Sequence, residues 1–158
     1  MTAALHLAGP DDLERLLPLV AAYHAFENIA QDEADRRAAL APLLDGSPHG
    51  AVWLIGPTRA PVGYVVVTFG WSVEMGGLDG FIDEFFIRDT VRGRGLGSEA
   101  LAALQTNLKV AGVKALHLEV GTGNPRARRL YERHGFQLRE QFRLMTWRAT
   151  VTDMKDTP

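Results

Sequence analysis

Apolar and polar residues in the first half of the chain follow two periodicities. Leucine and valine side chains between residues 13 and 20 recur at helical spacing after Pro10, which predicts a first helix that fades near Asn28. A second helix is predicted over residues 32–44. Runs rich in β-branched and aromatic residues, bounded by glycine and proline, predict strands at residues 3–7, 51–55, 62–71 and 81–87.

The second half continues the same alternation. Leu96, Ala100, Leu101, Leu104 and Leu108 form one apolar helical face that ends before Gly112. Residues 116–120 alternate as a strand, and a short helix begins at Asn124-Pro125.

Residues 136–149 are strand-like, with a bend or turn near residues 140–143. The order β-α-α-β-β-β-α-β-α-β predicts an α/β (α+β) layer with a mixed sheet.

Composition narrows the functional classes. The 158 residues fit one domain, and a net charge of -2 argues against nucleic acid as the main partner. The absence of cysteine excludes disulfides, a thiol nucleophile and cysteine-based zinc sites, and the five histidines have no ligand spacing, so we expect no metal. No apolar run is long enough to span a bilayer and no signal peptide is recognisable, so we expect a cytoplasmic protein without a membrane partner.

A glycine-rich segment, Arg92-Gly93-Arg94-Gly95-Leu96-Gly97-Ser98, joins the fourth strand to the third helix. Glycines at alternate positions let a ligand approach the backbone, and the helix N-terminus that follows favours an anion, so the segment predicts a pyrophosphate site. Ser98 departs from the dinucleotide pattern G-x-G-x-x-G, and no Gly-Lys-Ser/Thr triplet occurs. The pattern R-x-x-G-x-G remains, with a purely structural loop as the alternative.

A second motif lies one helix and one strand later. Residues 124–136 match N-x-x-A-x-x-L-Y-E-x-x-G-F at every specified position. Together the two motifs resemble the GNAT superfamily of N-acetyltransferases, and residues 82–99 look like its diamine (spermidine/spermine) branch. The resemblance implies a mixed sheet of six or seven strands, with helices on both faces and two splayed central strands.

The resemblance also implies how acetyl-CoA, the expected cosubstrate, would be held. The pantetheine arm would pair with the backbone near Phe85, Phe86 and Ile87 like an added strand. The pyrophosphate would lie on backbone N–H groups from Arg92 to Ser98. Asn124 would contact the cofactor or orient the helix that carries Tyr131.

Four residues are candidates for catalysis. Tyr131 matches the family's tyrosine near the sulfur, which implies a general acid, with a packing role as the alternative. Asp83, Glu84 and Glu119 are candidate bases. Asp83 aligns with a diamine-branch glutamate that works through water, Glu84 with its neighbouring amine contact, and Glu119 with the base of the ribosomal-protein N-terminal acetyltransferases.

Strand alternation predicts that Asp83 and Glu84 point to opposite faces, so that only one of them faces the acceptor. His24, Glu27 and Glu74 fall where the family lines its acceptor pocket.

Three functions are compatible with these residues. The first is transfer of an acetyl group from acetyl-CoA to a primary amine of a small cationic acceptor by direct attack. The second is acetylation of a protein N-terminus or lysine. The third is a non-catalytic acyl-CoA-binding regulatory domain. The assembly is left open, with a homodimer as the candidate.

Overall fold

A computed structural model describes residues 4–149 of the protein, which form one mixed sheet with helices on both faces. The strands are β1 (Leu5–Leu7), β2 (Gly50–Ile55), β3 (Gly63–Ser72), β4 (Gly77–Ile87) and β5 (Ala115–Leu118). They lie in the order β1-β2-β3-β4-β5. Neighbours run antiparallel except β4 and β5, which are parallel.

The helices are α1 (Leu13–Phe26), α2 (Glu33–Leu44), α3 (Leu96–Val110) and α4 (Pro125–Arg133). The predicted starts of α2 and α4 have a local cause. The Asp32 side chain accepts a hydrogen bond from the backbone N–H of Asp35 at 2.8 Å, and the Asn124 side chain accepts one from Ala127 at 3.1 Å. None of the helices in residues 4–149 combines the length and apolarity needed to cross a bilayer.

The two faces of the sheet have separate apolar cores. On one face, α1 and α2 pack on Val52, Leu54, Tyr64 and Val66. On the other face, α3 packs on the alternate residues of the same strands, including Trp53, Val65 and Val67. Helices on both faces of a mixed sheet confirm that part of the prediction.

The predicted strand number is wrong for the described residues, because the sheet has five strands and not six or seven. The missing strands are those expected from residues 136–149, which turn at residues 140–141 but form no strand. Apolar, β-branched and aromatic residues form a strand only when another strand pairs with them, and the sequence pattern does not report the partner. Several apolar side chains in this segment stay exposed, among them Phe142, Leu144 and Trp147.

β4 also begins earlier than expected, at Gly77 instead of residue 81. Gly80 lies inside the strand and pairs with Phe69 and Leu116. A Cβ at Gly80 would lie 3.1 Å from side-chain carbons of Leu116 and Val67, so the glycine permits close packing here and does not mark a turn. The first predicted strand begins at Leu5, and residue 3 lies outside the described residues.

Two irregularities of β4 position the site. The pairing of β4 with β5 stops at Ile82 opposite Leu118, whereas β4 continues to Ile87, so the two strands part beyond this point. The register with β3 also shifts, because Glu84 pairs with Val66 and Ile82 with Val67. Asp83 is therefore the extra residue of a β-bulge.

Candidate active site

A cleft of about 470 Å³ opens where β4 and β5 part. Its walls are the outer half of β4, the residues after β5, the N-terminus of α3 and one face of α4. The end of α1 contributes Tyr23, Phe26 and Glu27. Strands separated in this way leave the backbone groups on one edge of β4 without a strand partner, and Phe85, Phe86 and Ile87 line the cleft at that edge. An extended chain can add to such an edge.

The glycine-rich segment forms the end of the cleft at the start of α3. Gly95 is the residue before the helix and has a left-handed backbone with φ +77°, and Gly93 has φ +81°. No atom lies within 4 Å of the position that a Cβ would take at Gly95. The first turn of a helix also has backbone N–H groups without intrahelical partners, so this space suits an anionic group.

The cations around the cleft agree only in part with those suggested by the glycine-rich segment. Arg92 lines the cleft, whereas Arg94 does not. The Arg92 guanidinium folds back onto β4, where its Nε donates to the Ile87 carbonyl oxygen at 2.8 Å and its plane lies near the Phe26 and Phe86 rings. Arg126 and Arg133 of α4 do line the cleft. Sequence analysis missed both, although their spacing of seven residues places them on one helical face.

Tyr131 lines the same cleft on α4. Its ring packs against Phe85 and Phe136, with ring centroids 6.5 Å and 5.7 Å away. Burial, together with the nearby Glu27 carboxylate, raises the pKa of Tyr131 to about 12. The hydroxyl therefore stays protonated at neutral pH and can act as a proton donor.

Asn124 lines the cleft and also caps α4, the helix that carries Tyr131, so both roles expected for it stay open.

The bulge corrects the expected orientation of the two β4 carboxylates. Asp83 and Glu84 both line a second cavity, under α1 and α2, and are not on opposite faces. A regular strand would alternate them, whereas the extra residue of the bulge shifts the alternation by one position.

Both Glu84 oxygens have hydrogen-bond partners. Nε2 of the buried His24 lies 2.6 Å from one oxygen, and the Tyr64 hydroxyl donates to the other at 2.9 Å.

Asp83 is the single described residue that lines both the cleft and the second cavity. Its side chain reaches the surface of the cleft, but the surrounding protein excludes enough water to raise the pKa of its carboxyl, with the nearby His24 acting in the opposite direction. A carboxylate with a raised pKa at the junction of two cavities has the properties of a general base.

Tyr23 was assigned no separate role from the sequence, yet it lies among these groups. Its ring lines the cleft, and its pKa is raised by burial and by the nearby Glu27, Glu84, Tyr131 and Asp83. It therefore stays protonated and can donate a hydrogen bond near the reacting groups.

Of the three remaining acidic candidates, two line the cleft and one does not. Glu119 is exposed just after β5 and lines the cleft, as does Glu27. Glu74 lines neither cavity and instead pairs with Arg139 at 2.9 Å. Residues 4–149 contain no cluster of three or more histidine, aspartate or glutamate side chains that could hold a metal ion.

Known proteins resemble the chain in sequence and in structure. The uncharacterized N-acetyltransferase YycN of Bacillus subtilis (strain 168) is 41% identical over 59 residues, which are 37% of this chain and 38% of YycN, so the chain spans less than half the length of that curated relative. An integron cassette protein, HFX_CASS3, from the mobile metagenome of Cole Harbour Salt Marsh superposes with a TM-score of 0.80 at 33% identity, covering 92% of this chain and 91% of that chain.

The aminoglycoside N-acetyltransferase AAC(6')-Iy, solved in complex with CoA, has a TM-score of 0.76 over 92% of this chain and 93% of its own. Its 15% identity supports similarity of the fold alone. The family model for the acetyltransferase (GNAT) family matches residues 14–136, a range that includes the glycine-rich segment, Asp83 and Tyr131. The chain therefore belongs to the acetyltransferase (GNAT) family.

Proposed function

We propose that the protein transfers the acetyl group of acetyl-CoA to the primary amine of a small acceptor by direct attack. One observation carries the proposal: Asp83 lies where the cleft meets the second cavity, and Tyr131 lines that cleft. A base and an acid are thus available in one space. The open space at Gly95 fits the pyrophosphate of the cosubstrate, and Arg126 and Arg133 supply positive charge.

Each step of the reaction has a candidate group. The ammonium of the acceptor loses its proton to Asp83, directly or through water, and the amine nitrogen bonds to the acetyl carbon. Backbone N–H groups on the free edge of β4 are donors for the oxyanion. When the carbon–sulfur bond breaks, the Tyr131 hydroxyl protonates the departing thiolate.

The reacting end of the acceptor is proposed to be cationic. Asp83, Glu27 and Glu119 line the cleft, and carboxylates attract an ammonium group. A polyamine, as the resemblance to the diamine branch implies, is one acceptor of this kind. A small acceptor is favoured over a protein because the second cavity measures about 330 Å³ under α1 and α2.

A non-catalytic domain would need the cofactor groups but neither Asp83 nor Tyr131, so it remains the less supported alternative.

The test is release of CoA from acetyl-CoA in the presence of diamines, amino acids, amino sugars and peptides, with Asp83→Asn as the companion variant. We expect turnover with at least one small primary amine and a large loss of turnover in the variant. Binding of acetyl-CoA without transfer to any member of the panel would favour the regulatory domain.

We also propose that two copies of the chain associate. β5 lies at the edge of the described sheet, and an exposed edge is a template for pairing with another chain. Residues 136–149 are strand-prone but unpaired, and Phe142, Leu144 and Trp147 are 60%, 67% and 86% exposed. The segment of one copy could therefore pair with the β5 edge of the other copy, and the same contact could form in reverse.

A further inference from the structure

The second cavity lies between α1, α2, the residues that connect these helices, and β4. Most of its wall is apolar, and its polar residues are His24, Gln31, Arg36, Asp83 and Glu84. It meets the cleft at Asp83 alone among the described residues. An acceptor that reaches Asp83 through this cavity would therefore present its amine at the point where the acetyl group arrives.

Two buried nitrogens in this cavity have no partner. Among the side chains described in residues 4–149, only His24 Nδ1 and Arg36 Nε are buried without a hydrogen bond. Leaving a buried polar group unpaired destabilises the folded protein, because the group has lost its hydrogen bonds to water and gained none. Both unpaired atoms belong to residues that line one cavity, so this cavity is where the described residues leave buried polar groups unsatisfied.

The Arg36 guanidinium has one edge that carries a hydrogen bond and one edge that includes an unpaired atom. Its Nη1 donates to the backbone carbonyl oxygen of Gln31, which fixes the plane of the group. The opposite edge, formed by Nε and Nη2, includes the unpaired atom. Two parallel N–H donors on one edge match the two oxygens of a carboxylate. Arg36 is also the single lysine or arginine among the residues that line this cavity.

His24 already has one partner. Because the Glu84 carboxylate accepts hydrogen bonds, Nε2 of His24 donates to it, and Nδ1 is the ring nitrogen left without a partner. Glu84 is satisfied by His24 and Tyr64. The charged groups of this cavity that a ligand can use are thus the Arg36 guanidinium and the Asp83 carboxyl.

We propose that the acceptor is a small zwitterion, an amine that also carries a carboxylate, as in an amino acid. Arg36 binds the carboxylate, while Asp83 accepts a hydrogen bond from the ammonium group. A diamine would satisfy Asp83 but would be repelled by Arg36. The inference rests on the proposed acetyl transfer: the amine nitrogen bonds to the acetyl carbon, its proton goes to Asp83, and the thiolate of CoA leaves and is protonated.

Matched acceptors test the charge requirement. α-, β- and γ-Amino acids would be compared with their amides and with 1,4-diaminobutane, at fixed acetyl-CoA, by release of CoA. The best amino acid should exceed its own amide in kcat/KM by about 10- to 100-fold, the range for a charge-assisted hydrogen bond that is partly desolvated. Equal rates for amino acid, amide and diamine would overturn the inference but leave the proposed transfer intact.

The variant Arg36→Gln tests the residue. It should raise KM for the best amino acid about 10- to 100-fold while changing little for the amide, since only the carboxylate contact is lost. Arg36→Lys keeps the charge without the two-donor edge and should recover part of the affinity. Arg37→Gln is the matched control, because Arg37 is the next residue of α2 but pairs with Glu14 on the surface.

Equal losses with amino acid and amide in Arg36→Gln would overturn the carboxylate contact. A direct measurement, calorimetric binding of the same amino acid to the protein saturated with CoA, should show the same dependence on Arg36 without any turnover. If no amine in the panel is acetylated and no amino acid binds, both the proposed function and this inference are wrong. Arg36-dependent binding of an amino acid without acetylation would contradict the proposed transfer, and with it the role of the amino acid as acceptor, but would support the contact between Arg36 and the carboxylate.

Discussion

Tyr131 and Asp83 are individual side chains whose surroundings fit them for opposite proton transfers. The Tyr131 hydroxyl is kept protonated, with a pKa of about 12 that follows mainly from burial. The Asp83 carboxyl has a raised pKa for the same main reason. Desolvation thus disfavours the charged form of both groups, which makes the tyrosine a more persistent acid and the aspartate a better base.

Replacing Tyr131 with phenylalanine removes the proton donor and keeps the ring. We expect kcat to fall about 100-fold, because general acid catalysis contributes on that order, while the affinity for acetyl-CoA changes little. Steady-state kinetics and calorimetry on the same preparation measure the two effects. Wild-type turnover in Tyr131→Phe would assign the residue to packing against Phe85 and Phe136.

The pH dependence follows from the direction of the Asp83 shift. A base works only when deprotonated, so kcat/KM should fall as the pH drops through the raised pKa, at a higher pH than for an ordinary aspartate. A profile between about pH 5 and 9 should rise with pH, as both the base and the amine lose protons. Asp83→Asn should lose most of its turnover. Its remaining kcat/KM should no longer show the fall at low pH that protonation of Asp83 causes.

Glu84→Gln and Glu119→Gln are the comparison variants for that profile. Glu84 is held by His24 and Tyr64, so its substitution should raise the acceptor KM more than it lowers kcat. If the fall of kcat/KM at low pH disappears in Glu119→Gln but persists in Asp83→Asn, then Glu119 is the base.

The glycine before α3 offers a test of cofactor binding. Gly95→Asp should abolish measurable affinity for acetyl-CoA, since it adds bulk and negative charge in the open space at the helix N-terminus. Gly112→Asp is the control: it also has positive φ (+92°) and open space, but it follows the other end of α3. Isothermal calorimetry decides, and unchanged affinity in a folded Gly95→Asp protein would contradict the assignment.

Among individual site residues, the sequence best predicts those that belong to a short motif. The glycine-rich segment and Tyr131 each belong to a short pattern whose spacing places them in the cleft. Arg36, Arg126 and Arg133 belong to no such pattern, because their significance depends on which cavity each helix face meets. His24 and Glu84 pair with each other but are sixty residues apart in sequence, so they become neighbours only when α1 packs on the sheet.

Among the elements, β4 determines the site because it is bulged at Asp83 and leaves β5 beyond Ile82. Helix and strand positions in residues 4–133 could largely be predicted, since side-chain periodicity and caps are local properties. The bulge could not, because it is a property of the pairing between β3 and β4. The missing strands in residues 136–149 have the same cause.

The far end of β4 is held by close contact with β3 at Gly63. A Cβ there would lie 2.3 Å from the Phe86 carbonyl oxygen, so Gly63→Ala must push the strands apart. We expect a loss of about 1–3 kcal/mol in the free energy of unfolding, as for overpacked cores, measured by urea denaturation. Gly9→Ala, where no atom lies within 4 Å of the added methyl, should be nearly neutral. Equal stability in the two variants would contradict the tight contact.

For the whole molecule, the proposed association of two copies can be tested at the exposed segment. Phe142→Ser with Trp147→Ser should shift the protein from dimer to monomer in light scattering coupled to gel filtration, because both side chains would lose a partner surface. Val110→Ser is the control, since Val110 is 85% exposed but lies at the end of α3. A wild-type protein that is monomeric at all concentrations would refute the proposal.

The position of Asp83 between the two cavities also affects how the acceptor specificity of such a protein can change by substitution. Apart from β4 and Val66, the second cavity is built from residues 20–43, whereas the cleft draws mostly on residues 82–133. Under the proposed function, substitutions among the residues that line only the second cavity would change the acceptor without altering the cleft that holds acetyl-CoA. Asp83 lines both cavities, so a substitution there would affect the acceptor and acetyl-CoA together.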